Sequence, residues 1–137
     1  MKTIVLVLLL LPCCAFAGDV VVGYAPFCYH FSGAEDMNER NNHAFLLSVN
    51  QWFGMTFRNS HYNRSYSVGY EFMTPKIRFG GDVFLRGTLP AGLVYGYGGI
   101  KPAAAGVVEV GRGRGSVKMM FIPVDGGVAS AMFCWRF

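Results

Sequence analysis

The stretch that most constrains the fold is the last one, "GGVASAMFCWRF". Phe133, Trp135 and Phe137 sit two residues apart, with Ser130, Met132, Cys134 and Arg136 on the other parity. An extended chain sends successive side chains to opposite faces, so one face is large and apolar up to the final residue. Exposed to water, such a strand is an aggregation hazard. It is consistent with a sheet whose outer face meets lipid.

The other end names a route. "MKTIVLVLLLLPCCAFAG" has a basic start at Lys2, an apolar run through Leu11 and small residues before Gly18. This is the layout of a secretory signal peptide over residues 1–17, cleaved after Ala17, leaving residues 18–137 as one domain. A retained anchor is the alternative, but the apolar run falls short of the ~20 residues of a spanning helix. The adjacent Cys13 and Cys14 also raise lipidation, without the usual small residues before them. Loss of Lys2 with the leader lowers the net charge from +4 to about +3, too mild to argue for nucleic acid. "GRGRG" (residues 111–115) reads as a basic hairpin turn rather than a nucleic-acid segment.

Eight strands are expected. The first runs from about Val20 to Phe31, with Phe27, Tyr29 and Phe31 on one face and Tyr24, Pro26, Cys28 and His30 on the other. "HAFLLSVN" and "FGMTFR" follow around a tight connection near Gln51. A single amphipathic helix over 44–57 is the alternative, disfavoured by the alternation and by Gly54. "SYSVGYEF" places Tyr66, Val68, Tyr70 and Phe72 against Ser67, Gly69 and Glu71, and "MTPK" reads as a turn. Between Ile77 and Tyr97, glycines and Pro90 leave two readings open: the end of one strand plus a long kinked one, or two short strands. "GVVEV", "SVKMMFI" and the C-terminal segment complete the set.

Alternation suits a soluble β-sandwich as well as a barrel. The apolar rows, however, are rich in Tyr, Phe, Trp and Met. The opposite rows mix Gly and Ser with Glu71, Glu109, Arg58, Arg78, Lys118 and Arg136. Small residues plus both charge signs suit a narrow lumen filled by an ion network. The fold class expected is therefore all-β, an eight-stranded antiparallel transmembrane β-barrel. The segments 32–42, 59–64, 98–103 and 123–127 would then lie at one end, and tight turns near Gln51, Thr74 and Arg112 at the other.

Candidate chemistry gathers at the long-loop end. His30 ends the first strand, Ser60 begins the loop after the third, and Glu39 lies in the first loop. A serine, a histidine and an acid or amide make an acyl-transfer site when they converge. The competing reading is an interfacial histidine and a turn serine. Asn38, Asn41 and Asn42 suit a loop-anchoring network, since Asx side chains tie loop backbone together. Arg40, Arg58, Arg64 and Lys101 suit phosphorylated lipid head groups, or ordinary snorkelling at an interface. Cys28 and Cys134 both face the lumen by parity, compatible with a disulfide across the seam and equally with two buried thiols. No metal and no cofactor is expected.

Three patches, "YHFSGAEDMNERNN", "FGMTFRNSHYNRSYSVGYEF" and "KMMFIPVDGGVASAMFCWRF", together resemble the PagP-type lipid A palmitoyltransferase family, in order and spacing. Those are eight-stranded outer-membrane barrels that move an acyl chain from phospholipid to lipid A. The family's Lys-Asp-Ser stretch reads Arg58-Asn59-Ser60 here, so Ser60 matches its catalytic serine and Asn59 replaces its aspartate. Counting back without gaps from "NER", the family's histidine falls on Tyr24, leaving His30 as the candidate substitute. The family's N-terminal amphipathic helix has no counterpart before Val20. Its strand-loosening prolines match Pro102 and Pro123, with Pro26 near the first strand.

The resemblance implies a monomer in the outer membrane of a Gram-negative bacterium. Its partners would be lipopolysaccharide, other outer-membrane lipids and the barrel-insertion machinery, with no nucleic acid. Two functions are expected to compete. One is a barrel acting on or near lipid A without catalysis. The other is a lipid A acyltransferase or acyl hydrolase using Ser60 and His30.

Overall fold

Strand after strand alternates inward and outward side chains, and the sheet they form closes on itself. The computed structural model describes residues 19–31, 38, 40–123 and 126–137; the signal segment and Glu39 lie outside them. Eleven strand segments follow in order: β1 (Val20–Ala25), β2 (Cys28–His30), β3 (Ala44–Val49), β4 (Trp52–Arg58), β5 (Arg64–Met73), β6 (Ile77–Arg78), β7 (Val83–Tyr95), β8 (Ile100–Ala104), β9 (Gly106–Arg112), β10 (Gly115–Ile122) and β11 (Val128–Arg136). They build eight staves, because β1–β2, β5–β6 and β8–β9 are each one stave with a break. The staves pair in the order β1-β3-β4-β5-β7-β9-β10-β11, and β11 closes on β1. All pairings are antiparallel. The result is a closed eight-stranded β-barrel.

Each break has a local cause. Between Tyr24↔Phe133 and Cys28↔Ser130 the first stave advances four residues against three on β11, which is a bulge at Pro26–Phe27. The bulge exchanges the faces. Val21, Gly23 and Ala25 point inward below it, and Cys28 and His30 above it. Tyr24 therefore faces outward, correcting the expectation that it shares a face with His30. A second bulge replaces the turn expected at "MTPK". Between Met73↔Thr88 and Ile77↔Leu85 the β5–β6 stave again advances four residues against three, and the chain reverses at residues 79–82 instead. The ambiguous stretch from Ile77 to Tyr97 is thus the end of one stave plus one long strand. At the third break Pro90, having no N–H, accepts from Ala105 N (3.0 Å) and cannot return the bond.

All connections at one end are short. Asn50 and Gln51, both at positive φ (51° and 74°), join Val49 to Trp52 as a two-residue type I′ turn. Gly113 (φ 58°) opens the equally short turn from Arg112 to Gly115. The connections from β2 to β3, β4 to β5, β7 to β8 and β10 to β11 leave from the opposite end, the upper rim.

The outer surface is apolar over most of its height. Phe45, Val68, Leu93, Val108, Met119 and Phe133 are all exposed. Aromatic residues flank that zone. Tyr66 pairs with Tyr95 near the upper rim, and Trp52 packs edge-on against Tyr70 at the lower end (5.2 Å). Trp135 and Phe137 are exposed at the same lower end, on and just after β11.

The lumen is layered. Its lower half holds ions in contact. Lys118 Nζ donates to Glu71 Oε1 (2.5 Å), Arg86 donates to Glu109, and Ser116 Oγ donates to Glu109 Oε1 (2.7 Å). Arg136 pairs with Asp19 at the lower mouth. Glu71, Arg86, Glu109 and Lys118 are all buried. Buried charges persist only when paired and hydrogen-bonded, and here each has an opposite partner. Of two arginines expected inside, Arg58 points out, while Arg78, paired with the inward-facing Phe84, lies on the lumen row and is exposed at the lower end. Arg86, whose inward parity sets it opposite Glu109, supplies the missing cation.

Beside the ions and above them the lumen is apolar. Val21, Ala25, Ala44, Leu46, Met132 and Cys134 form the core, with Phe53, Met55 and Phe57 packed against it. This corrects the expectation for β4, whose apolar row turns inward while Trp52 and Arg58 face out.

Candidate functional site

The upper rim brings together two residues thirty positions apart. The bulge at Pro26–Phe27 turns His30 inward at the top of β2, where it is 2% exposed. The β4–β5 hairpin carries Ser60 to the same point, and His30 Nε2 lies 2.7 Å from Ser60 Oγ. With the ring proton on Nδ1, the Ser60 hydroxyl donates to Nε2, the arrangement in which imidazole can accept the serine proton.

Asn59 and Asn38 hold that hairpin in place. The Asn59 amide donates to Ser65 Oγ (3.0 Å) and to the Gly96 carbonyl (2.9 Å). Its Oδ1 accepts from the backbone N–H of His61 (2.9 Å) and of Asn63 (3.0 Å). Gly96 takes a positive φ of 123°, and a Cβ there would fall 2.1 Å from Ser65 Oγ, so only glycine lets the two loops close this far. These four Asn59 side-chain bonds tie the hairpin to itself, to β5 and to the loop after β7, so Asn59 acts as a clamp. Asn38, buried to 1% exposure, docks the first loop from the other side. Its N–H donates to the Ser60 carbonyl (2.9 Å), and its amide donates to the Asn59 carbonyl (3.2 Å). The anchoring role read for the asparagines thus falls chiefly on Asn38 and Asn59. Asn42 adds its carbonyl as acceptor for Arg58 N (2.8 Å).

Tyr24 lies elsewhere. Its hydroxyl bonds His43 Nδ1 (2.8 Å) on the outward side, away from Ser60.

Beneath Ser60 the lumen opens into a cavity of about 300 Å³, lined by Ala44, Met55, Phe57, Val94, Met120 and Met132 among others. A second space of about 80 Å³ continues it toward Glu71 and Lys118 and shares the Met55, Phe57 and Met120 side chains. The site is therefore a polar dyad over a narrow apolar well floored by an ion pair. Such a well accepts a hydrocarbon chain and rejects charged groups.

Cys28 and Cys134 both line the lumen but at different heights. Cys28 sits opposite Ser130 and Cys134 opposite Gly23. Four residues of β11 separate Ser130 from Cys134, about 13 Å of strand at ~3.4 Å per residue, beyond disulfide reach. The Cys28 thiol donates to the Asn38 carbonyl (3.4 Å).

Arg40, Arg58 and Arg64 are exposed at the upper rim. Comparison with protein-family models and with curated proteins finds no match for this chain.

Proposed function

We propose that this chain is an outer-membrane barrel that handles lipid acyl chains at its upper rim, with Ser60 as nucleophile and His30 as base. The observation that carries the reading is the 2.7 Å contact between Ser60 Oγ and His30 Nε2 directly over the apolar well. Membrane residence is supported by the closed sheet, the apolar outer wall and the aromatic residues at its two margins.

The wall also has two places where a lipid can reach the well from the side. β8 pairs with β7 but makes no ladder to β10, and β2 pairs with β11 but makes none to β3. Pro102 and Pro123 flank the first gap and Pro26 the second, and proline cannot donate to a ladder. An acyl chain slipping through either gap enters the well with its ester near Ser60.

In the reaction, Ser60 Oγ attacks the ester carbonyl while its proton passes to His30 Nε2. The C–O bond to the donor lipid breaks, the leaving alkoxide takes that proton, and an acyl-serine remains. A hydroxyl of an acceptor lipid, or water, then attacks the acyl-serine. It gives its proton to His30, which returns it to Ser60 as the new ester or free acid leaves. The family resemblance favours lipid A as the acceptor.

A non-catalytic barrel is the second reading. It is favoured by Asn59, which stands in the family's aspartate position and spends its side chain on the loops. Mass analysis of lipid A from outer membranes expressing the chain separates the two. A shift of one acyl chain that vanishes in Ser60→Ala supports the enzyme; identical lipid A with and without the chain supports the second reading.

A further inference from the structure

The hairpin that carries Ser60 begins and ends on arginine. Arg58 and Arg64 are directly opposed in the β4–β5 register. Both are exposed on the outward face, and neither forms a salt bridge among the described residues. Directly opposed like charges destabilise a strand pair, and no carboxylate among the described residues pairs with either arginine to offset this. An anion placed between two guanidinium groups reverses the sign of the effect, since each donates charge-assisted bonds to oxygen.

The rungs below fix what kind of anion. On the same outward face the next rung is Thr56↔Tyr66, with Tyr95 beyond it. The rung after that is Gly54↔Val68, continued by Leu93. Each rung lies about 7 Å below the last at ~3.4 Å per residue. Descending the wall, the order is cation pair, aromatic pair, aliphatic surface. That is the order of phosphate, interface and hydrocarbon met when entering a lipid leaflet.

We infer that Arg58 and Arg64 form a bidentate clamp for the phosphate of an outer-leaflet lipid, held on the outer wall one rung from the loop that carries Ser60. The clamp rests on the reading of the wall as lipid-facing, and would fix the depth at which a phosphorylated lipid meets the site. It needs no acyl transfer, so the two can fail separately.

Native mass spectrometry of the full folded chain, released from a non-ionic maltoside, tests the clamp. The probes are phosphatidic acid, a neutral diacylglycerol of the same chains, and inorganic phosphate. Wild type is expected to retain one phosphatidic acid, and neither diacylglycerol nor inorganic phosphate at the same concentration. Arg58→Gln/Arg64→Gln is expected to bind it about tenfold more weakly. Arg64→Glu, which creates an opposed ion pair, is expected to lose lipid binding while raising the temperature of the heat-induced gel shift. Unchanged phosphatidic acid binding in a folded Arg64→Glu barrel would overturn the clamp. Equal retention of the diacylglycerol, or saturation by inorganic phosphate alone, would overturn the lipid-phosphate assignment. Failure of the wild type to enter a membrane would instead remove the reading beneath it.

Discussion

The backbone N–H of Asn38 donates to the carbonyl of Ser60 at 2.9 Å, so the loop after β2 is fastened to the residue it brings toward His30. The Asn38 amide adds bonds to the carbonyls of Asn59 and Arg58 (3.2 and 3.5 Å). Its Oδ1 accepts from Asn41 N (3.1 Å). One buried asparagine thus holds both loops of the site.

Asn38→Asp keeps the acceptor for Asn41 and loses the two amide donors. It is expected to slow the proposed acyl transfer about tenfold, the effect of one to two kcal/mol of lost positioning. The loss should fall on kcat, with the heat-induced gel shift unmoved. A loss of folded barrel in proportion to activity would assign Asn38 to stability alone.

Lys118 and Glu71 are the floor of the well and are both nearly inaccessible. Glu71→Gln leaves a buried ammonium without its counter-charge and is expected to destabilise the barrel by about 3–5 kcal/mol. Glu71→Leu combined with Lys118→Met removes both charges and should cost far less. Unfolding in urea from detergent micelles measures both, and equal losses would show that the pair is not coupled.

Gly92 faces Gly69 across the β5–β7 pairing. A Cβ at Gly92 would fall 2.1 Å from the Val68 carbonyl oxygen and 2.6 Å from Gly69 Cα. Both contacts are with backbone, which cannot move aside as a side chain can. Gly92→Ala is expected to lower stability by about 1–3 kcal/mol, read in the same urea titration. A neutral result would mean that the two staves have room to part.

Much of this architecture is legible in the residues themselves. Strict alternation at Tyr66–Phe72, Val108–Val110 and Phe133–Phe137 is enough to assign faces. The spacing of turn residues is enough to place His30 and Ser60 at one end. What misleads is any place where one residue is added or where both faces are apolar. The bulge at Pro26–Phe27 flips parity, so Tyr24 and His30 part company although an even number of positions separates them. In β4, Phe53, Met55 and Phe57 resemble an outward row, but the upper lumen is itself apolar and takes them in. Arg86 is hidden between Leu85 and Gly87 in a stretch whose strand limits the glycines obscure. Only its register against Glu109 reveals it as the second cation of the lumen.

The most direct test of the account is covalent trapping of the nucleophile. The folded chain in detergent is treated with a long-chain alkyl fluorophosphonate, and its intact mass and peptide map are measured. One added phosphonyl group is expected on Ser60, absent in Ser60→Ala and strongly slowed in His30→Ala, with the gel shift of both variants preserved. An unmodified wild type, or equal modification of Ser60→Ala, would contradict the account.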